Sequence, residues 1–249
     1  MSSLEINLWG APQFLFMGKP MVVDTRKALA LLVYLAITKR AYHRDSLALL
    51  LWSDAESSKA RSSLRRTLSV LNKALGKQGL SLGKNEVSLS SELDVTLDLD
   101  EFHTLQGGCS SHQHAPDINC EKCQALLKQA SERISLPFMQ GFKIRQAPVF
   151  DEWLGLQRKE RELEATETWG FLLRCAQESN NQEQVISFAS ELLLVDPLQE
   201  KLHRLLMQTY AQKGRKDLVQ EQFDHCKRRV SEALGLAPEE ETVQLFERI

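Results

Sequence analysis

Residues 60–76 (ARSSLRRTLSVLNKALG) constrain the fold of this chain more than any other segment. At about 100° per residue, their apolar side chains fall on one narrow stripe of a helix. The stripe consists of Ala60, Leu64, Leu68, Leu71 and Leu75. The opposite face carries Ser, Arg and Lys without an acid, which suits a surface that lies along phosphates. An ordinary solvated helix face is the alternative interpretation of this pattern.

The segments around this helix predict a small α+β domain. Asp24–Thr38 predicts an amphipathic helix with Asp24 as its N-cap, and His43–Trp52 predicts a second, shorter helix. Ser53–Asp54 predicts the turn and cap that precede the third helix. Downstream, residues 80–90 alternate in polarity around Gly83-Lys84-Asn85, which is typical of a β-hairpin. Short strands are predicted upstream in LEINLWG, FLFM and PMVV.

Strands, three helices and a hairpin in this order predict a winged helix. In such a domain the third helix enters the major groove of DNA, and the hairpin, or wing, contacts the backbone. The Arg and Ser side chains of the third helix also have the geometry to reach base edges there.

The order of these segments resembles a known family. TRKALALLVYLA, RDSLALLLW and ARSSLRRTLSVLNKALG, followed by the hairpin, resemble the DNA-binding domain of the antibiotic-regulatory-protein type of bacterial transcriptional activators. FDEWLGLQRKERE and the segment from LLLVDPLQ to FERI resemble the helical bacterial transcriptional activator domain that follows it in that family. The resemblance implies a mostly α fold, in which an N-terminal winged helix-turn-helix (α+β) precedes an all-α tetratricopeptide-like domain.

We therefore predict three parts of the chain. Residues 1–98 form the winged helix, residues 99–123 a linker, and residues 124–249 the helical domain. A faint repeat supports the last part, because Asn180 and Gly214 lie 34 residues apart, each at a predicted break between helices. That spacing is the period of tetratricopeptide helix pairs.

Charge is distributed unevenly between the two halves. Residues 1–90 hold 13 Lys and Arg against 6 Asp and Glu, whereas the remainder holds 18 against 27. The net charge of the whole chain is only −2, which argues against a general nucleic-acid coat. A basic field confined to the N-terminal part fits a DNA-reading domain.

The resemblance assigns a DNA-facing set of residues to a recognition helix at about residues 58–75 and to the wing. The set comprises Lys59, Arg61, Ser62, Arg65, Arg66, Ser69 and Lys73 on the helix, and Lys84 and Asn85 on the wing. Arg65 and Arg66 are the best candidates for contact with bases or nearby phosphates. We expect Lys59, Lys73, Lys77 and Lys84 to contact phosphates only.

A cluster of cysteine and histidine residues predicts a metal site in the linker. His112 and His114, with Cys120 and Cys123, supply the two nitrogens and two thiolates of a tetrahedral zinc site. Cys109 could replace either histidine. Four protein ligands would close the site, so the zinc would be structural. A linker without metal and a redox-active Cys-x-x-Cys are the alternatives, although no thioredoxin-like βαβ pattern surrounds the motif.

The predicted function is sequence-specific binding of double-stranded DNA by a transcriptional regulator, expected to be an activator. The resemblance implies RNA polymerase or another protein as a partner of the helical domain, and a dimer on DNA. No phosphate-binding glycine loop, serine elbow or H-E-x-x-H motif is present, so we do not expect an enzyme.

The remaining features predict a reduced, cytoplasmic protein without a membrane span or a signal peptide. One alternative function comes from another class. The same two domains could form the N-terminal sensor or scaffold module of a larger, ATPase-containing protein, in which the helical domain binds protein partners.

Overall fold

The computed structural model of the chain describes residues 2–108, 117 and 119–249. The strands are β1 Ser2–Asn7, β2 Gln13–Phe16, β3 Lys19–Pro20, β4 Tyr42–His43, β5 Leu80–Leu82, β6 Glu86–Leu89 and β7 Leu93–Leu97. The helices are α1 Arg26–Thr38, α2 Arg44–Trp52, α3 Ser57–Ala74, α4 Asp98–Gly108, α5 Glu121–Ser131, α6 Pro148–Glu178, α7 Gln182–Val195, α8 Glu200–Gln212, α9 Lys216–Leu234 and α10 Glu240–Arg248. In this part of the chain no helix has both the length and the apolar character to cross a membrane.

The chain packs into two compact units. Unit 1 comprises Met1–Thr104 and Arg133–Arg161, and unit 2 comprises Leu105–Glu132 and Glu162–Ile249. This division differs from the predicted boundaries, because a segment of the predicted helical domain packs with the N-terminal part.

The strands of unit 1 form two small sheets. The first has the order β3-β2-β1-β7, with β1 and β2 antiparallel and β1 and β7 parallel. Leu4 and Ile6 of β1 are almost completely buried while Glu5 between them is exposed, as expected for a sheet with one covered face. The second sheet has the order β4-β6-β5 and contains the predicted hairpin.

The three predicted N-terminal helices are present, with shifted starts. Thr25 rather than Asp24 is the N-cap of α1, because the Thr25 carbonyl accepts the first helical N–H, from Ala28 (3.0 Å). The N-cap of α3 is Glu56 rather than Ser53 or Asp54. Residues 53–55 form a turn, closed by a hydrogen bond from the Ala55 N–H to the Trp52 carbonyl (3.1 Å).

The predicted linker at 99–123 is wrong over its first part, where α4 forms. The Asp98 carboxylate accepts hydrogen bonds from the Leu8 and Trp9 N–H groups (2.6 and 2.8 Å) and from the N–H of Leu99 (2.9 Å). Burial raises the pKa of Asp98, although these three hydrogen bonds oppose that shift. Phe102 is completely buried, with its ring 5.3 Å from that of Trp9. These contacts lie more than 85 residues apart in sequence, so the glycine-rich surroundings of α4 gave no sign of them.

The segment 133–161 is tied to the N-terminal part by backbone hydrogen bonds. The Met139 N–H donates to the Leu8 carbonyl (2.9 Å), and the Gln140 N–H donates to the Gly10 carbonyl (2.7 Å). Aromatic packing adds to this, since the Trp153 ring lies 4.9 Å from that of Tyr34 in α1. Unit 1 is therefore completed by residues far along the chain.

Unit 2 repeats one helix turn at the predicted interval. The Asn181 N–H donates to the Ala176 carbonyl, and 34 residues later the Arg215 N–H donates to the Tyr210 carbonyl, both at 2.9 Å. The residues before these donors, Asn180 and Gly214, have positive φ angles of 51° and 71°. Both turns therefore end a helix in the same left-handed geometry. The predicted repeat is confirmed.

Candidate nucleic-acid interface

The predicted recognition helix is present as α3, and its apolar stripe is buried. Leu64, Leu68, Leu71 and Leu75 are each at most 2% exposed, and Ala60 is 4% exposed. Burial of these side chains fixes the rotation of α3 about its axis. The opposite face is consequently directed to solvent.

The exposed face of α3 carries all the candidate residues that the sequence assigned to it. They are Lys59, Arg61, Ser62, Arg65, Arg66, Ser69 and Lys73. Arg65, Arg66 and Lys73 form no ion pair with any residue that the structure describes. Their charges are therefore available to a ligand, whereas Lys59 lies 3.9 Å from the Glu56 carboxylate.

Arg61 differs from its neighbours because an acid on α2 holds it. Its Nε and Nη2 atoms donate to the two carboxylate oxygens of Asp45, at 2.7 and 2.8 Å. A bidentate pair of this kind fixes the plane of the guanidinium and offsets its charge. Arg61 is thus held in place but contributes less to the positive field of α3 than Arg65 or Arg66.

The wing is the hairpin of β5 and β6, and its turn lies at residues 83–85 as predicted. The Gly83 N–H donates to the Glu86 carbonyl (2.9 Å), which closes the turn. The candidate residues Lys84 and Asn85 are both exposed at its tip.

Arg44, the first residue of α2, attaches the wing to the helices. Its N–H donates to the Asn85 carbonyl (2.8 Å), and its Nε and Nη2 atoms donate to the Gly83 carbonyl at 3.3 and 3.1 Å. The short strand β4 precedes Arg44 and pairs with β6. The start of α2 and the wing therefore form one connected structure.

A hollow of about 390 Å³ lies where the start of α2, α3 and the wing meet. It is lined by His43, Arg44, Asp45, Arg61, Leu64, Arg65 and Asn85. Three of these side chains are guanidinium groups and only one is an acid, so the hollow favours an anionic group such as a phosphate.

Sequence reasoning missed Arg44 and Asp45 as members of this surface. Neither lies on α3 or on the wing, and both gain their roles from contacts across 16 to 39 residues of sequence. A charged pair at the start of a helix is common at any exposed N-terminus. No local pattern therefore identified them.

The predicted metal ligands are only partly described. Cys109, His112 and His114 lie outside the described residues. Cys120 is the N-cap of α5 and is half-buried, whereas Cys123 lies within the first turn and is completely buried. Among the described residues, no group of three or more His, Cys, Asp and Glu is placed to hold a metal ion.

Comparisons with known proteins agree with this architecture. Residues 97–249 match the family described as the bacterial transcriptional activator domain. Among solved structures, Mycobacterium tuberculosis EmbR in complex with a low affinity phosphopeptide is similar, with a TM-score of 0.65 and 22% sequence identity. That match covers 100% of this chain and 65% of the EmbR chain. None of the curated proteins matches.

The similarity to EmbR extends over the whole chain, and with the family match it confirms the predicted fold class. An N-terminal winged helix-turn-helix of α+β type precedes an all-α, tetratricopeptide-like domain.

Proposed function

The chain belongs to the bacterial transcriptional activator domain family, and from that premise we propose that it is a transcriptional regulator that binds specific sequences in double-stranded DNA. Recognition helix α3 enters the major groove, and the wing at residues 80–90 contacts the backbone. The observation that carries the proposal is the exposed face of α3, on which Arg65, Arg66 and Lys73 have no ion-pair partner among the described residues.

Within this proposal the cationic side chains have different tasks. Arg65 and Arg66 lie near the middle of α3, where a side chain reaches base edges or the nearest phosphates. Lys59, Lys73, Lys77 and Lys84 contact phosphates, which adds affinity without sequence information. Arg61 and Asn85 border the hollow beside the wing and position the backbone there.

The partners and setting of the regulator are part of the same proposal. It works in the cytoplasm, and it activates transcription by bringing RNA polymerase, or another protein, to the promoter through the helical domain. Two copies bind adjacent sites on one DNA molecule.

The direct test is binding of the purified chain to the DNA upstream of its own gene at increasing salt concentrations. We expect saturable, promoter-selective binding that weakens steeply with salt. In the double variant Arg65→Ala/Arg66→Ala, loss of base contacts lowers the affinity by about 1–3 kcal/mol per side chain, or roughly 5- to 150-fold each.

The matched control is Lys227→Ala/Arg228→Ala, which removes the same charge from exposed positions on α9. It should leave promoter binding unchanged. Binding that does not distinguish promoter from unrelated DNA, or that is insensitive to the α3 double variant, would contradict the proposal. That outcome would favour the sensor or scaffold module of a larger protein.

We also propose that the segment before α5 binds structural zinc through His112, His114, Cys120 and Cys123, with Cys109 as a substitute ligand. The position of the Cys-x-x-Cys motif at the start of α5 supports this, because both sulfurs lie within one turn. Elemental analysis of the purified chain should find stoichiometric zinc, and Cys120→Ser/Cys123→Ser should lose it. A chain that is free of zinc after purification with added zinc would refute the proposal.

A further inference from the structure

Unit 2 contains a groove that DNA binding by unit 1 leaves without a role. The groove has a volume of about 730 Å³ and lies between the end of α6, one face of α8, and α10. This volume is within the range that binding sites in proteins occupy, about 300–1,000 Å³. We call it the α8 groove.

Leucine side chains form the floor of the α8 groove. Leu173 of α6 and Leu245 of α10 are 6% and 5% exposed, and Leu202 and Leu205 of α8 are half-buried between them. The half-buried leucines offer apolar surface to an occupant. Covering such surface contributes about 25 cal/mol per Å².

The rim of the α8 groove is positively charged. Lys201 of α8 and Arg248 of α10 are exposed and form no ion pair with any residue in the described ranges. The third cation, Arg204, is already compensated, because it lies 2.7 Å from Glu239 and 3.1 Å from Glu241. Two uncompensated positive charges thus flank an apolar floor.

This positive rim contrasts with its surroundings. Residues 91–249 carry 27 acids against 18 Lys and Arg. A local excess of cations in an acidic region selects for an anionic occupant and repels a basic one.

Glutamine side chains add hydrogen-bonding capacity to the rim. Gln177 of α6 and Gln208 of α8 are exposed, and neither side chain bonds to a described residue. Each amide offers donors and an acceptor together, which matches the N–H and C=O groups of a peptide backbone. Those groups are accessible in an extended chain, whereas a helix uses them internally.

We propose that the α8 groove binds an extended segment of another protein in which acidic side chains alternate with apolar ones. The apolar side chains cover Leu202 and Leu205, and the carboxylates pair with Lys201 and Arg248. The amides of Gln177 and Gln208 hold the backbone. This inference goes beyond DNA binding, since it assigns a partner-binding role to unit 2 alone.

The test selects peptides from a phage-displayed library of random sequences on the intact chain. We expect the selected peptides to be enriched in Asp and Glu together with Leu or other apolar residues. One selected peptide, labelled with fluorescein, then serves as the probe for affinity measurements by fluorescence polarisation. Its binding should weaken with increasing salt, because the charges at the rim are exposed.

The decisive variant is Lys201→Glu/Arg248→Glu, which reverses the charge of the rim. It should lower the affinity for the labelled peptide by at least about tenfold, as expected when charge-assisted contacts become repulsive. The matched control Lys227→Glu/Arg228→Glu makes the same charge change on α9 and should leave peptide affinity unchanged. Circular dichroism and thermal unfolding verify that both variants are folded.

Several results would overturn the inference. They are the absence of any enriched peptide, enrichment of basic or purely apolar peptides, and equal loss of affinity in the two variants. A dimer of the wild-type chain that dissociates in Lys201→Glu/Arg248→Glu would instead assign the groove to a second copy. Promoter binding by unit 1 is measured separately on the same variant and should be unchanged, so failure of this inference is distinguishable from failure of the proposed function.

Discussion

Single residues decide how much positive charge the candidate interface presents. Arg61 and Asp45 are both exposed, and an ion pair between exposed groups contributes only about 0–1 kcal/mol to stability. The pair therefore has little effect on folding. Its larger effect is on the surface, where Asp45 offsets one of the guanidinium charges beside α3.

Asp45→Asn tests this effect. The substitution should release Arg61 and raise the affinity for DNA of any sequence, because one more cation becomes available to a phosphate. The slope of log affinity against log salt should steepen by about 0.9, the value for one added phosphate contact. Glu92→Gln removes an equal charge from an exposed position elsewhere in unit 1 and serves as the control. A loss of affinity in Asp45→Asn would show instead that Arg61 needs Asp45 to hold it in a DNA-contacting position.

His203 on α8 makes the stability of unit 2 sensitive to pH. The ring is completely buried, with Nε2 3.0 Å from the Pro197 carbonyl and Nδ1 2.6 Å from the Gln222 amide nitrogen. A neutral ring with its proton on Nε2 satisfies both contacts, since Nε2 then donates and Nδ1 accepts. Burial lowers the pKa of His203 below its ordinary value of 6.5, and the nearby His225 lowers it further, although the Pro197 carbonyl and Glu200 oppose the shift.

The free energy of unfolding should therefore fall as the pH drops below about 6.5. In that range the unfolded chain takes up a proton that the folded chain binds only at a lower pH. Denaturant unfolding at a series of pH values should show a weaker decline in His203→Gln than in the wild type. His225, whose pKa burial also lowers, accounts for part of the remaining decline. An unchanged pH dependence in His203→Gln, equal to that of the exposed His43→Gln, would refute this assignment.

Among the elements, α3 follows from local sequence and α10 depends on a distant residue. The stripe of α3 has helical spacing, so its burial and rotation were predictable. The N-terminus of α10 is instead held by Glu200 of α8. The Glu200 carboxylate accepts from the Glu239 N–H (2.9 Å) and from the Thr242 hydroxyl (2.6 Å). A carboxylate at this end of a helix also interacts favourably with the helix dipole.

Glu200→Ala should therefore loosen α10 more than the rest of the molecule. It leaves the Glu239 N–H and the Thr242 hydroxyl without their acceptor, at a cost of about 1–3 kcal/mol. Amide hydrogen exchange should show reduced protection in residues 240–248, and Glu200→Gln, which keeps an acceptor, should lose less. Unchanged protection of α10 in Glu200→Ala would contradict this role for Glu200.

In the whole molecule, the order of residues in sequence and their packing into units differ. Unit 1 needs residues 133–161, because Met139 and Gln140 bond to the segment after β1 and Trp153 packs on Tyr34. A cut after residue 98 would remove these partners. It would also remove Phe102, which covers one side of Trp9.

A fragment of residues 1–98 should consequently be unstable or aggregate, whereas a fragment of residues 1–161 should fold cooperatively. Thermal unfolding followed by circular dichroism, together with the dispersion of amide signals in NMR spectra, compares the two. A fragment 1–98 that unfolds at the same temperature as fragment 1–161 would show that the later segment is dispensable.

The sequence by itself determined the features that depend on local periodicity and turn chemistry. The buried stripe and cationic face of α3, the wing turn at residues 83–85 and the repeat at Asn180 and Gly214 are of this kind, because a helix, a hairpin and a helix end each leave a short-range pattern. The order of these elements was also sufficient to predict the fold class.

Only the tertiary structure decided which distant groups meet. The parallel pairing of β7 with β1, the burial of Asp98 and Phe102 in place of a linker, and the ion pair between Asp45 and Arg61 all join residues that are far apart in sequence. The α8 groove likewise exists only where three helices come together. Such contacts depend on the packing of whole elements, and local sequence carries no record of the neighbour that an element acquires.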